Sequence, residues 1–250
     1  MKLLVIVVCL LSERFLIHVS SHSRFDWFTG YATSLLNKFP NQGKWSTQLL
    51  KLALILIPLV LTTSIILYLF NSWLFGFVGL LLNIFLFYYC LGPSNAFYPE
   101  RTSLDEDASK QDAGEYLAKV NNQLFGVIFW YVVTGPIGLL VYRLISLSGA
   151  LKSVAGISVK LTSFLDYIPA KLTSLLYLIV GNFQAGLSHF ANFIFSSPKD
   201  NHLMLETCGL YALDYDQEEQ SFLPKAEMLV EHAVIVLLVL LAFLTLAMWL

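Results

Sequence analysis

Charge is scarce in this chain. Its 250 residues include only 15 lysines and arginines and 17 aspartates and glutamates, against a hydrophobic share of 57% and a mean hydropathy of +0.69. A water-soluble globule of that composition would expose mostly apolar surface, so the chain reads as an integral membrane protein. The formal net charge is −2, with no clustered basic face, which removes nucleic acid as a partner. Cysteine is equally sparse. Cys9, Cys90 and Cys208 are too widely spaced for a disulfide framework or a zinc knuckle and are read as plain thiols. Also missing are a glycine-rich phosphate loop with its lysine, a nucleophile elbow and any internal repeat. The apolar start MKLLVIVVCLL runs into Ser12-Glu13-Arg14 without a small-residue cleavage pattern, so it is read as retained, and Val8 stands where a lipoprotein site at Cys9 would need a small residue.

What is present is a set of long apolar runs. Four are expected to span a bilayer: 1–19, 52–70 (LALILIPLVLTTSIILYLF), 73–91 (WLFGFVGLLLNIFLFYYCL) and 230–250 (VEHAVIVLLVLLAFLTLAMWL). The first is the weakest, because Glu13, Arg14 and His18 interrupt it. Only Asn71 and Ser72 join the second and third, which makes them a hairpin whose flanks, 12–51 and 92–123, share one side. Those flanks are rich in Lys and Arg and the hairpin tip has none, so they are placed in the cytoplasm.

Residues 121–144, NNQLFGVIFWYVVTGPIGLLVYRL, are long enough to cross but carry Gly135-Pro136 near the middle. Proline removes a backbone donor and glycine permits a bend. If 121–147 re-enters rather than crosses, 14 of the 15 basic residues fall on one side, leaving Lys2 outside; this favours a re-entrant segment with both termini periplasmic. A kinked helix that crosses fully is the alternative, and 172–183 would then cross back. The stretch 148–229 is read as amphipathic cytoplasmic helices, because apolar residues recur at helical spacing from Leu151 to Phe183, with Asp166 and Pro169 marking a second helix start. The expected fold class is all-α: a polytopic membrane protein of one domain, with about four spans and one Gly-Pro-broken segment.

Candidate chemistry is thin. His18 and His22 stand at metal-pair spacing but have no acid between them and no third ligand, so they are read as interfacial. Asp105-Glu106-Asp107 and the cluster Asp214, Asp216, Glu218 and Glu219 lack the glycine turn of a calcium loop and are read as solvated. No metal site and no cofactor are expected. Asn121, Asn122 and Arg143 border the broken apolar segment, where polar groups must find partners in protein or water. Bending at Gly135-Pro136 would return Arg143 to the face of Asn122, so the two are expected to share the rim of a pocket.

This segment, followed about twenty residues later by FLDYIPAKL, with LLSERFL near the start and a closing apolar helix, resembles the AmpE family of inner-membrane proteins associated with β-lactamase induction in Gram-negative bacteria. The resemblance rests most on Asn122, Gly126, Phe129-Trp130, Gly135-Pro136, Tyr142-Arg143 and Pro169-Ala170. It implies a bacterial inner-membrane regulatory protein, contacting lipid, with a functional link to a cytoplasmic cell-wall-fragment amidase. Its implied ligand or pocket residues are Asn121, Asn122, Gly126, Trp130, Gly135, Pro136, Tyr142, Arg143, Asp166 and Lys171. That family is distantly similar to the CobD/CbiB adenosylcobinamide-phosphate synthases, which form an amide on a corrinoid carboxylate. The positions matching the acids of those enzymes are here Asn121, Phe125, Gly149, Thr162 and Ser163, and Ser146 stands where they have an asparagine. The resemblance therefore implies no catalytic residue. An enzyme of altered chemistry and a transporter component for cell-wall fragments are the alternatives.

Overall fold

The computed structural model describes residues 2–15, 25–37, 45–70, 76–92, 97, 110–213 and 222–247. Among the described residues every regular element is helical: α1 (Lys2–Phe15), α2 (Asp26–Leu36), α3 (Trp45–Phe70), α4 (Phe77–Cys90), α5 (Lys110–Val120), α6 (Gly126–Ser148), α7 (Ala155–Leu165), α8 (Tyr167–Val180), α9 (Phe183–Phe193), α10 (Asn201–Ala212) and α11 (Phe222–Ala247). A π-helical turn, Asn121–Phe125, joins α5 to α6, and a 3-10 turn, Pro198–Asp200, precedes α10. Three stretches are long and apolar enough to cross a membrane: Thr47–Phe70, Lys110–Ser148 and Phe222–Ala247. A fourth candidate is the pair α7 and α8, bent by 50° at their junction. The chain is an all-helical membrane protein.

About four spans were expected, and the described helices offer three by length and composition, or four with the bent pair. The runs 52–70 and 230–250 fall in the long helices α3 and α11, but within 73–91 the helix covers only Phe77–Cys90. Its 14 residues reach about 21 Å, short of the roughly 30 Å hydrocarbon core. Of the run 1–19, α1 covers the described residues Lys2–Phe15. Ahead of the broken segment, the described helix runs from Lys110, within the tract TSLDEDASKQDAGEY that the sequence marks as a helix start.

Two compact units divide the chain, residues 1–93 with 127–165 and residues 94–126 with 166–250. In the first unit α1 packs on α4, and α3 meets α2, α4 and α7. Val5, Ile6 and Cys9 of α1, Phe28 of α2, Leu52 and Ile55 of α3 and Phe87 of α4 are buried there. Most of α3 is outside this core: Ile57, Leu61, Ile65, Ile66 and Leu69 are exposed, as lipid-facing positions should be. Pro58 lies within α3 without ending it. The hydroxyls of Thr62, Thr63 and Ser64 donate to carbonyls four residues earlier at 2.7–2.9 Å, which satisfies polar groups inside an apolar surrounding.

In the second unit α10 packs on α8, α5 and α9, and α11 on α8 and α5. One stripe of α11, Ala226, Leu229, Val230, Ala233, Val234 and Leu241, is buried. The two alanines let its backbone approach closely, the usual solution where lipid removes the hydrophobic drive between helices. At the turn from α8 to α9 a Cβ on Gly181 would stand 2.1 Å from the Ala212 carbonyl oxygen, and the neighbouring Asn182 amide donates to that oxygen at 2.9 Å.

The apolar periodicity over 151–183 does not face one interior. Leu151, Val154 and Ile157 are buried, whereas Phe164, Ile168, Leu172, Ile179 and Phe183 are exposed. Helix α8 instead buries Pro169, Ala170, Thr173, Ser174, Leu176, Tyr177 and Leu178. Its buried face thus mixes small, hydroxyl-bearing and large apolar residues, with Ile168, Leu172 and Ile179 outside.

Candidate functional site

The second unit gathers a polar cluster around the π-helical turn. In that turn the Gly126 amide donates to the Asn121 carbonyl, five residues back. Such a turn inserts one extra residue into a helix and is frequent at functional sites. The Thr173 hydroxyl donates to Asn121 Oδ1 at 2.9 Å, with both residues buried. Asn122 Nδ2 donates to Asp166 Oδ2 at a long 3.4 Å. The Tyr177 hydroxyl donates to the Leu117 carbonyl at 3.0 Å, and its ring meets Phe125 edge-on at 5.8 Å. Gln123 and Asn201 are buried in the same unit. The Ser174 hydroxyl is buried with no hydrogen-bond partner among the described residues.

Asp166 occupies the position expected for a helix cap, immediately before α8, but its side chain caps nothing. The carboxylate accepts from Asn122 instead. Lys171 lies one turn further on, with its ammonium 3.5 Å from the Tyr167 ring centroid; it also donates to the Ile194 carbonyl.

The first unit contains the break. α6 is two helices joined at Gly135, whose φ of 81° and ψ of −165° are accessible almost to glycine alone. Pro136 follows and has no N–H, so the Val132 carbonyl four residues earlier lacks its helical donor. Lys2 Nζ supplies the replacement, donating to Val132 O at 2.7 Å. Trp130 and Tyr142, on either side of the break, stack with centroids 6.2 Å apart. Twelve residues of straight helix would separate them by about 18 Å along the axis, so the segment bends sharply. Trp130 Nε1 is buried without a hydrogen-bond partner among the described residues.

Arg143, 3% exposed, holds its guanidinium 5.3 Å from the Phe25 ring centroid and lines a cavity of about 310 Å³. Asn122 and Arg143, expected to share one rim, belong to different units. The hydrogen bond of Asn122 goes to Asp166, and Arg143 faces Phe25.

No protein-family model matches this sequence, and no curated protein or solved structure shows significant similarity to it. What the arrangement can do is therefore argued from its own residues. Phe125 is 3% exposed and packed on Tyr177. Ser163 donates to the Val159 carbonyl of its own helix at 2.9 Å. Among the described residues no three His, Cys, Asp or Glu side chains converge on a metal-sized site. His18, His22, Asp105-Glu106-Asp107 and the acids between Asp214 and Glu219 lie outside the described residues.

Sequence reading missed Thr173 and Tyr177, although a signal was present. Asp166, Ala170, Thr173 and Tyr177 recur at steps of four, three and four, a small and polar stripe on an otherwise apolar helix. It also missed Lys2 and Phe25, whose contacts with Val132 and Arg143 join distant segments.

Proposed function

We propose that this chain is a bacterial inner-membrane regulatory protein of the AmpE type, modulating β-lactamase induction in response to cell-wall disturbance and catalysing no reaction itself. The observation that carries this reading is how the second unit uses its polar centre. Phe125 fills core against Tyr177, Asn121 accepts from Thr173, and Asn122 is bound to the carboxylate of Asp166. Amide formation on an activated acid depends on grouped carboxylates that hold magnesium and manage protons. Asn121, Phe125, Gly149, Thr162 and Ser163 offer none at the matching positions. A scaffold that binds and changes conformation fits such residues better than a catalyst does.

The topology that accompanies this reading has both termini in the periplasm and 12–51, 92–120 and 148–229 in the cytoplasm. In it the broken α6 enters and leaves the bilayer on the cytoplasmic side, and the bend at Gly135 supports this.

The decisive experiment is deletion of the gene in its host, followed by β-lactamase assay after challenge with an inducing β-lactam. Altered induction restored by the wild-type gene is expected. Unaltered induction rejects the regulatory reading, and rescue of a cobalamin strain lacking its own corrinoid amide synthase would establish an enzyme instead.

A further inference from the structure

Helix α9, FQAGLSHFANF, divides its surface into three sectors that run along its length. The first is packed on protein. Gly186 is buried there, where a Cβ would meet Leu178 of α8, and His189 one turn on stacks against Tyr211 of α10 with ring centroids 4.0 Å apart. The second sector is exposed and polar: Gln184, Ser188 and Asn192 recur at steps of four, which stacks them on one side of a helix. The third is exposed and apolar, formed by Phe183, Leu187, Ala191 and Ile194 at steps of four, four and three. Phe195, just beyond, is 93% exposed.

A surface helix in water turns its apolar stripe to the core, and a helix that crosses a bilayer is apolar on every outer side. Helix α9 does neither. Its exposed surface changes from apolar to polar along a line parallel to the helix axis, the arrangement of a helix lying flat at a membrane surface with one side in acyl chains and the other in water. Its surroundings agree. Helix α9 packs on α8, and α8 on α11, whose residues Phe222–Ala247 are long and apolar enough to span. The stripe therefore stands two interaxial spacings, about 16–20 Å, from a membrane-spanning helix. Both ends of α9 are fixed, since Asn182 Oδ1 accepts from the Ala185 amide at 3.1 Å and Lys171 of α8 donates to the Ile194 carbonyl. The stripe is thus held in place by the fold rather than carried on a free segment.

We propose that α9 lies flat on the bilayer surface, with Phe183, Leu187, Ala191, Ile194 and Phe195 set among lipid acyl chains and Gln184, Ser188 and Asn192 in water. This holds for either leaflet, so it stands apart from the regulatory reading and survives its failure. The test uses the full-length protein reconstituted in vesicles of phosphatidylethanolamine and phosphatidylglycerol, with a nitroxide attached in turn at Leu187→Cys, Ala191→Cys, Ser188→Cys and Asn192→Cys. Cys9, Cys90 and Cys208 are buried and stay in place, and the unsubstituted protein gives the background. Collisions with oxygen, which partitions into lipid, are compared with collisions with a water-soluble nickel chelate. Leu187→Cys and Ala191→Cys should favour oxygen and read about 5–10 Å beneath the headgroup boundary. Ser188→Cys and Asn192→Cys should favour nickel. If Leu187→Cys does not fold, Ala191→Cys reads the same stripe with a change of one small exposed side chain. Nickel dominant at all four positions puts the stripe in water and overturns the proposal. Protection of Leu187→Cys and Ala191→Cys from both reagents means that protein, a second copy included, covers the stripe, and oxygen dominant at all four means an immersed helix; either result also overturns it.

Discussion

Thr173 and Asn121 meet where each needs the other. The amide carbonyl of Asn121 is buried, and its donor is the Thr173 hydroxyl at 2.9 Å. Thr173→Val leaves that carbonyl without its donor, at a cost of about 0.6–2 kcal/mol for a hydrogen bond in a membrane protein. Asn121→Leu should cost a similar amount, and the double variant less than the sum, because removing both partners leaves nothing unsatisfied. Unfolding in bicelles measures the cycle; strictly additive losses would show that the two side chains do not interact. Cys208 provides a test by pH. It lies in α10, outside the candidate spans, and burial pushes its thiol from the ordinary 9.0 up to about 11. The unfolded thiol ionises first, so stability contributed by this group is complete below pH 9 and is lost as pH rises through 11. In a variant carrying Cys9→Ala and Cys90→Ala, alkylation of the folded protein should keep accelerating above pH 9, where the denatured chain has levelled off. A shared plateau for both states would mean that Cys208 is not shielded.

Among the elements, α6 shows most directly how local backbone chemistry calls on distant residues. Gly135 permits the bend, Pro136 removes the donor to Val132, and Lys2 of α1 replaces it. Lys2→Met should therefore lower stability by about 1 kcal/mol. In a Pro136→Ala background, where a backbone N–H is available again, the same substitution should cost much less. Equal costs in both backgrounds would show that Lys2 acts elsewhere. Gly135→Ala should cost about 1–3 kcal/mol, since an alanine at φ 81° is strained. Helix α8 makes a different point: its aliphatic positions were legible as a stripe, but Ile168, Leu172 and Ile179 face outward while Ala170, Thr173, Ser174, Leu176 and Leu178 are buried.

For the whole molecule the open matter is sidedness, which the proposed topology makes testable. Ser197, exposed just before the 3-10 turn, belongs to 148–229. With Cys9, Cys90 and Cys208 replaced by alanine, Ser197→Cys should resist a membrane-impermeant thiol reagent in intact spheroplasts and react after permeabilisation. Ready labelling without permeabilisation places 148–229 outside and makes α6 a crossing helix. Even that result would leave the all-helical architecture intact, because three stretches are long and apolar enough to span whichever way they run.

The amino-acid sequence alone determined that this protein is helical and membrane-bound. Long apolar runs in lipid must satisfy their own backbone polar groups, and helix formation does this within the segment, so α3 and α11 are found where the hydropathy put them. The break at Gly135-Pro136 was equally legible, since a missing N–H and a permissive Cα are properties of the two residues themselves. Tertiary structure decided the partners. Thr173 reaches Asn121 across 52 positions, Tyr177 reaches Leu117 across 60, and Lys2 reaches Val132 across 130. No periodicity within one segment specifies which turn of another helix will lie beside it. That depends on how side chains of both helices pack, and it placed Asn122 on Asp166 and Arg143 against Phe25.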